Sequence, residues 1–326
     1  MYPDGGLRPS SRRYPAPSTY REDVGYDHAH GTPSAQQRPR LAFVLGLTVL
    51  VLLVEVVAAL VTGSLALLAD AGHMLSDTFG LVMALIAVTV AQRAGSPRRT
   101  FGNHRTEILA AGANGLVLLG LCVWIVVSAI GRLGDAPEVD SPLMLAAGAL
   151  GLAANVVGLL VLRAGAKESL NVRGAYLEVM GDAFGSVAVI AAAAVIALTG
   201  WYDADPVASL VIAALILPRA LGLLREVVDV LLESTPRGLD LEELRTHMTE
   251  VPGVLDVHDL HVWTITSGMP VMSAHVVVED EVLGTDAGHG VLDRLRSCLS
   301  EHFDVEHSTF QLEPSAHAQT ERHTHR

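Results

Sequence analysis

Charge is scarce in this sequence. Asp, Glu, Lys and Arg make up 17% of its 326 residues, where a globular domain carries about 25%, while half of the residues are hydrophobic. Aromatic residues reach only 5% and cysteines number two. Cys122 falls in an apolar run and Cys298 in a late helix-like stretch, which gives neither a disulfide framework nor a Cys-x-x-Cys metal site. The chain has no P-loop, so nucleotide hydrolysis is not its energy source, and no His-Glu-x-x-His string, which argues against an intramembrane metalloprotease. Residues 1–40 are rich in Pro, Ser, Arg and Tyr and lack the apolar core of a cleavable signal, so they read as a disordered tail. A formal net charge of −13 argues against nucleic acid, because a phosphate-binding surface needs an excess of Lys and Arg, and favours cations as partners.

The missing charge is concentrated between residues 41 and 234. Six apolar segments recur there: Leu41–Val61, Leu65–Ala91, Ile108–Gly131, Leu143–Leu162, Ala175–Leu198 and Pro206–Leu224. Each is long enough to cross a bilayer as a helix. Only Thr62-Gly63-Ser64 separates the first two, which requires a tight helical hairpin. Arg38 and Arg40 precede the first segment, Arg93, Arg98, Arg99 and Arg105 follow the second, Arg163, Lys167 and Arg173 follow the fourth, and Arg219 and Arg225 mark the end of the sixth. The opposite loops carry Asp135, Glu138, Asp140, Asp203 and Asp205. Basic loops stay in the cytoplasm, so both termini are expected there.

After Pro236 the composition becomes that of a soluble domain. Helix-like and strand-like stretches alternate in the order αββαβ, a two-layer α+β unit of ferredoxin-like type spanning residues 236–314. That span holds 15 Asp and Glu against 4 Lys and Arg, so nearly all the net acidity sits here, which either attracts cations or simply keeps the domain solvated. The 315–326 tail carries His317, His323 and His325, and the N-terminal tail His28 and His30. These read as polar tails with at most weak metal affinity.

Ionisable residues inside the apolar segments are costly and therefore informative. His73 and Asp77 stand i, i+4 in the second segment, and Glu178 and Asp182 repeat the spacing in the fifth, which runs the opposite way through the membrane. Residues four apart share a helical face, so the two helices can present one imidazole and three carboxylates to one divalent cation. Asp70, a turn before His73, reads as a supporting group, a pathway carboxylate or an interface residue. Glu55, Asn114 and Asn155 read as interhelical hydrogen-bond partners, and Arg105 and Glu107 as bundle-bracing or lipid-facing charges.

Several long motifs resemble the cation diffusion facilitator family of divalent metal transporters, and specifically its bacterial zinc, cadmium and cobalt exporters. They are SLALLADAGHMLSD from Ser64, FGNHRTEILAA from Phe101, ESLNVRGAYLEVMGDAFGSV from Glu168, DADPVASL from Asp203 and VHDLHVWTITSGMPVMSAHVVV from Val257. The resemblance implies a six-helix membrane transport domain and a cytoplasmic α+β domain that pairs in a homodimer in the bacterial inner membrane. It also implies export of a divalent metal, zinc first, in exchange for protons, with no organic cofactor and no enzymatic step. It further implies a regulatory or assembly metal site at His258, His275, His289 and Glu313, between or beside two protomers, with His261 or His307 as substitutes. Strict alternation along the strand puts His258 and His261 on opposite faces. One residue departs from the pattern: zinc members carry histidine where this chain has Glu178. That change lowers the charge of the ligand set to about −3 instead of −2 with neutral imidazoles and leans toward harder ions such as manganese or iron(II). A membrane-anchored metal sensor is the other reading, weakened by carboxylates that a mere anchor has no use for.

Overall fold

The computed structural model describes residues 38–91, 97–167, 170–283, 286–303, 305 and 307–318. Nearly all of the N-terminal tail, Arg93, and the histidines His28, His30, His323 and His325 lie outside them. Six long helices lead: α1 (Arg38–Thr62), α2 (Leu65–Ala91), α3 (Arg105–Arg132), α4 (Ser141–Leu162), α5 (Leu170–Thr199) and α6 (Ala204–Leu231). Length and composition suit α1 and α3 to α6 to crossing a membrane. α2, with 27 residues, packs among α1, α3, α5 and α6 and carries the polar residues. Several helices outrun their apolar segments because backbone hydrogen bonding continues after the side chains turn polar. Arg219, expected at the end of the sixth helix, therefore lies well inside α6.

The α1–α2 hairpin turns at Gly63, whose φ of +71° suits a residue without a Cβ. Asp205, in the first turn of α6, then closes the start of α2. Ser64 Oγ donates to Asp205 Oδ1 at 2.5 Å, Leu65 N to Oδ2 at 2.7 Å and Ala66 N to Oδ1 at 3.1 Å. The carboxylate satisfies amides that have no partner within the helix and sits where the helix dipole favours negative charge. Below it, alanines and aliphatics of α1 to α6 such as Ala69, Leu118, Met144, Ala193 and Ile212 form one buried cluster.

The C-terminal domain contains α7 (Leu241–Thr249), β1 (Val254–Thr264), β2 (Pro270–Val278), α8 (Asp286–His302), β3 (His307–Pro314) and a short α9 (Ser315–Ala318). The sheet order is β1-β2-β3, with β1 and β2 antiparallel and β2 and β3 parallel. A parallel neighbour needs a crossover, which α8 supplies. Leu244 and Met248 of α7 and Val291, Leu295 and Leu299 of α8 pack on Val257, Val262, Met272, Ala274 and Val276, so both helices cover one face of the sheet. The other face carries the histidines.

Arg105 and Glu107 do not face lipid. Arg105 Nη2 meets Glu233 Oε1 at 2.8 Å, beyond the end of α6, and Thr266 Oγ1 of the C-terminal domain donates to Glu107 Oε2 at 2.6 Å. Both residues brace the junction between the domains.

Candidate metal centre

α2 and α5 run antiparallel, so their i, i+4 pairs match level by level: His73 lies opposite Asp182, and Asp77 opposite Glu178. His73 Nε2 stands 3.5 Å from Asp182 Oδ1 and 3.6 Å from Asp77 Oδ2. Two ligand atoms about 2.1 Å from a tetrahedral zinc are about 3.4 Å apart, so these separations suit two edges of such a site. The donor atoms of His73, Asp77 and Asp182 all lie within 4.8 Å of one another. His73 and Asp182 are buried, and Asp182 Oδ1 has no hydrogen-bond partner among the described residues. A buried carboxylate oxygen without a hydrogen bond is costly unless a cation meets it.

Glu178 stands apart from this trio. Its Oε1 accepts from Arg219 Nη2 of α6 at 2.8 Å, while Arg219 Nη1 meets Asp77 Oδ2 at 3.1 Å. Sequence reading missed Arg219 because a basic residue at the expected end of a membrane helix is explained by orientation alone. A cavity of about 430 Å³ between α2, α5 and α6 is lined by His73, Glu178 and Arg219 and reaches Asp70.

Two glycines make room for carboxylates beside the trio. A Cβ at Gly185 would lie 2.7 Å from Asp70 Oδ1, and one at Gly151 2.6 Å from Glu55 Oε1. Asp70 is thus buried in the bundle and not an interface residue. Asn155 and Asn114 do bridge helices, Asn155 Nδ2 donating to Ser186 Oγ at 3.3 Å and Asn114 Oδ1 accepting from Ser76 Oγ at 3.2 Å. Glu55 does not: it is 1% exposed and neither of its carboxylate oxygens has a hydrogen-bond partner among the described residues.

A second cluster occupies the open face of the sheet. His258 and His275 are directly paired across β1 and β2, with ring centroids 5.2 Å apart. Glu313, at the end of β3, reaches His258 Nε2 at 2.5 Å and His275 Nδ1 at 3.7 Å. His289 does not join them: it is exposed at the start of α8, in the layer on the far side of the sheet. In its place stand Asp259, whose Oδ2 is 3.6 Å from His258 Nδ1, and His317 of α9, whose Nε2 is 3.9 Å from Glu313 Oε2. Asp259 has a φ of +46°, and the β1–β2 register shifts by one residue between His258 and His261. This bulge restores His261 to the same face as His258, opposite Ser273, against the alternation expected of a regular strand. His307 is exposed at the start of β3. The i, i+4 spacing of Glu313 and His317 was a usable signal. The bulge left none.

Residues 41–232 match the family model described as "Cation efflux transmembrane domain", and residues 236–315 the one described as "Cation efflux protein, cytoplasmic domain". The chain is 41% identical over 302 residues to the metal cation efflux system protein CzcD of Cupriavidus metallidurans, covering 92% of this chain and 94% of that protein. It is 40% identical to the zinc transporter ZitB of Escherichia coli, covering 89% and 93%. With the cadmium, cobalt and zinc/H(+)-K(+) antiporter of Bacillus velezensis it shares 38% identity over 90% of this chain and 93% of that one.

Proposed function

The chain belongs to the cation efflux family, and we propose on that basis that it exports zinc from the cytoplasm in exchange for protons, as a homodimer in the bacterial inner membrane with both termini in the cytoplasm. It is a transporter of divalent metal cations and not an enzyme. The observation that carries the site is the convergence of His73, Asp77 and Asp182 from two antiparallel helices beside a cavity in the bundle. Zinc is favoured over manganese because relatives named for zinc, cadmium and cobalt align over most of the chain, and because Glu178, the residue that departs from their pattern, is tied to a guanidinium. Three carboxylates and one guanidinium around a neutral imidazole sum to −2, which one dication neutralises. Protons compete for the same imidazole and carboxylates, so their return can drive release of the metal. Placement of Lys and Arg in the loops supports the orientation.

Uptake of zinc, cadmium, cobalt and manganese by inside-out vesicles, with and without an acidic interior, tests this reading. Zinc uptake that rises several-fold with the acid gradient is the expected result; a manganese preference, or indifference to the gradient, overturns the assignment of ion or coupling.

For the cytoplasmic domain we propose that His258, His275 and Glu313, joined by Asp259 and His317, hold a resident divalent metal that steadies the dimer. The donor set fits: imidazole nitrogens and carboxylates from all three strands converge on the open face of the sheet. His289 is available to such a site only from a second protomer. In full-length protein carrying Asp182→Ala to silence the membrane site, calorimetry is expected to detect residual zinc binding that His258→Ala with His275→Ala removes. An unchanged isotherm assigns the residual binding elsewhere.

A further inference from the structure

Arg219 is the basic residue lining the membrane cavity, and it engages carboxylates from two other helices at once. Its Nη1 stands 3.1 Å from Asp77 Oδ2, the same oxygen that lies 3.6 Å from His73 Nε2. A guanidinium and a dication therefore address the same lone pairs. The Arg219 side chain lines the cavity and is 43% exposed, so it has room to leave its carboxylates, whereas Asp77 is 16% exposed and keeps few alternatives to a cation. Immediately before it, Pro218 lies inside α6. A proline inside a helix has no N–H to donate to the carbonyl four residues back, which loosens the turn that carries its neighbour.

Resting on the transport reading above, we propose that Arg219 is a tethered competitor of the transported ion: it holds Asp77 and Glu178 between transport events, gives them up to the arriving dication, and returns to expel it. Glu178 becomes a ligand only when Arg219 lets go. The guanidinium fork spans two carboxylates on different helices, a reach that the point charge of a lysine reproduces only in part. Arg219 thus acts as a lock between α6 and the α2–α5 pair that metal opens, coupling occupancy of the site to the position of α6.

The test is zinc binding and zinc transport by purified full-length Arg219→Gln, Arg219→Lys, Glu178→Gln and the Glu178→Gln/Arg219→Gln double variant, each first shown to be monodisperse. Arg219→Gln is expected to bind zinc about tenfold more tightly or better, because a repelling charge is gone and Glu178 is free. Its transport should show a lower KM and a lower kcat, since release has lost its competitor. Arg219→Lys should return both toward the parent values, and Glu178→Gln in the Arg219→Gln background should cancel the gain in affinity. Unchanged or weaker zinc binding in Arg219→Gln overturns the proposal, as does a gain that survives in the double variant. Asp182→Ala, measured alongside, separates the two readings: if it removes the membrane-site share of the binding and abolishes transport while Arg219→Gln leaves the affinity unchanged, the transport site stands and the lock falls. If Asp182→Ala binds and transports as the parent does, the site itself is wrong.

Discussion

Proteoliposomes carrying Asp77→Ala or Asp182→Ala are expected to show zinc transport reduced more than about 100-fold, since even partners that merely support a ligand cost 10- to 100-fold when lost. A dication leaves its hydration shell only for ligands that replace it, and each of these carboxylates supplies both a lone pair and a charge. Asp182 lies 3.5 Å from His73 Nε2, so its loss also frees the imidazole to turn. The variants should still insert and remain monodisperse, because the buried aliphatic cluster of the bundle includes neither residue. Near-normal transport by either variant removes both residues from the site.

Asp205→Ala is expected to act on the fold and not on the ion. The Asp205 carboxylate is 1% exposed and accepts from Ser64 Oγ, Leu65 N and Ala66 N. Removing it leaves three buried donors at a helix start, each costing about 1–3 kcal/mol where water cannot enter. With partial relief by neighbouring groups, a loss of about 3 kcal/mol follows. Thermal unfolding in detergent should show a clear fall in midpoint, with zinc affinity unchanged in the protein that stays folded at low temperature. Asp205→Asn keeps an acceptor and should recover part of the loss. An unchanged midpoint for Asp205→Ala would mean that the α1–α2 hairpin is held by its apolar packing alone.

The helices were legible because hydrocarbon demands long apolar runs, and the α+β domain because its strands and helices alternate in clear blocks. That the i, i+4 pairs of α2 and α5 face one another followed from spacing and direction; which members converge did not, since Glu178 pairs with Arg219 and leaves His73, Asp77 and Asp182 together. What sequence spacing did not reveal depends on groups from elements far apart in the chain. Arg219 belongs to the site through α6, and its role as a partner of Glu178 is a matter of side-chain reach across three helices. On the sheet, parity arguments failed at Asp259, where one residue inserted into β1 moves His261 onto the face of His258. Glu55 defeats a different assumption: a lone acid among apolar neighbours is expected to find a donor, and here it finds none among the described residues.

Gly151 and Gly185 are recesses cut for Glu55 and Asp70, and their consequence lies in how this sequence can drift. A side chain at either glycine meets a carboxylate oxygen closer than real Cβ contacts come, at 2.6 and 2.7 Å. A side chain at either glycine therefore obliges the facing carboxylate to move, which links each acid to its recess. Among related chains, those that have lost the acid at position 55 should be the ones that tolerate alanine or serine at 151, and the same link should join positions 70 and 185. Substitution of the glycine first, with the acid retained, is the costlier order, because the carboxylate must then move within the bundle.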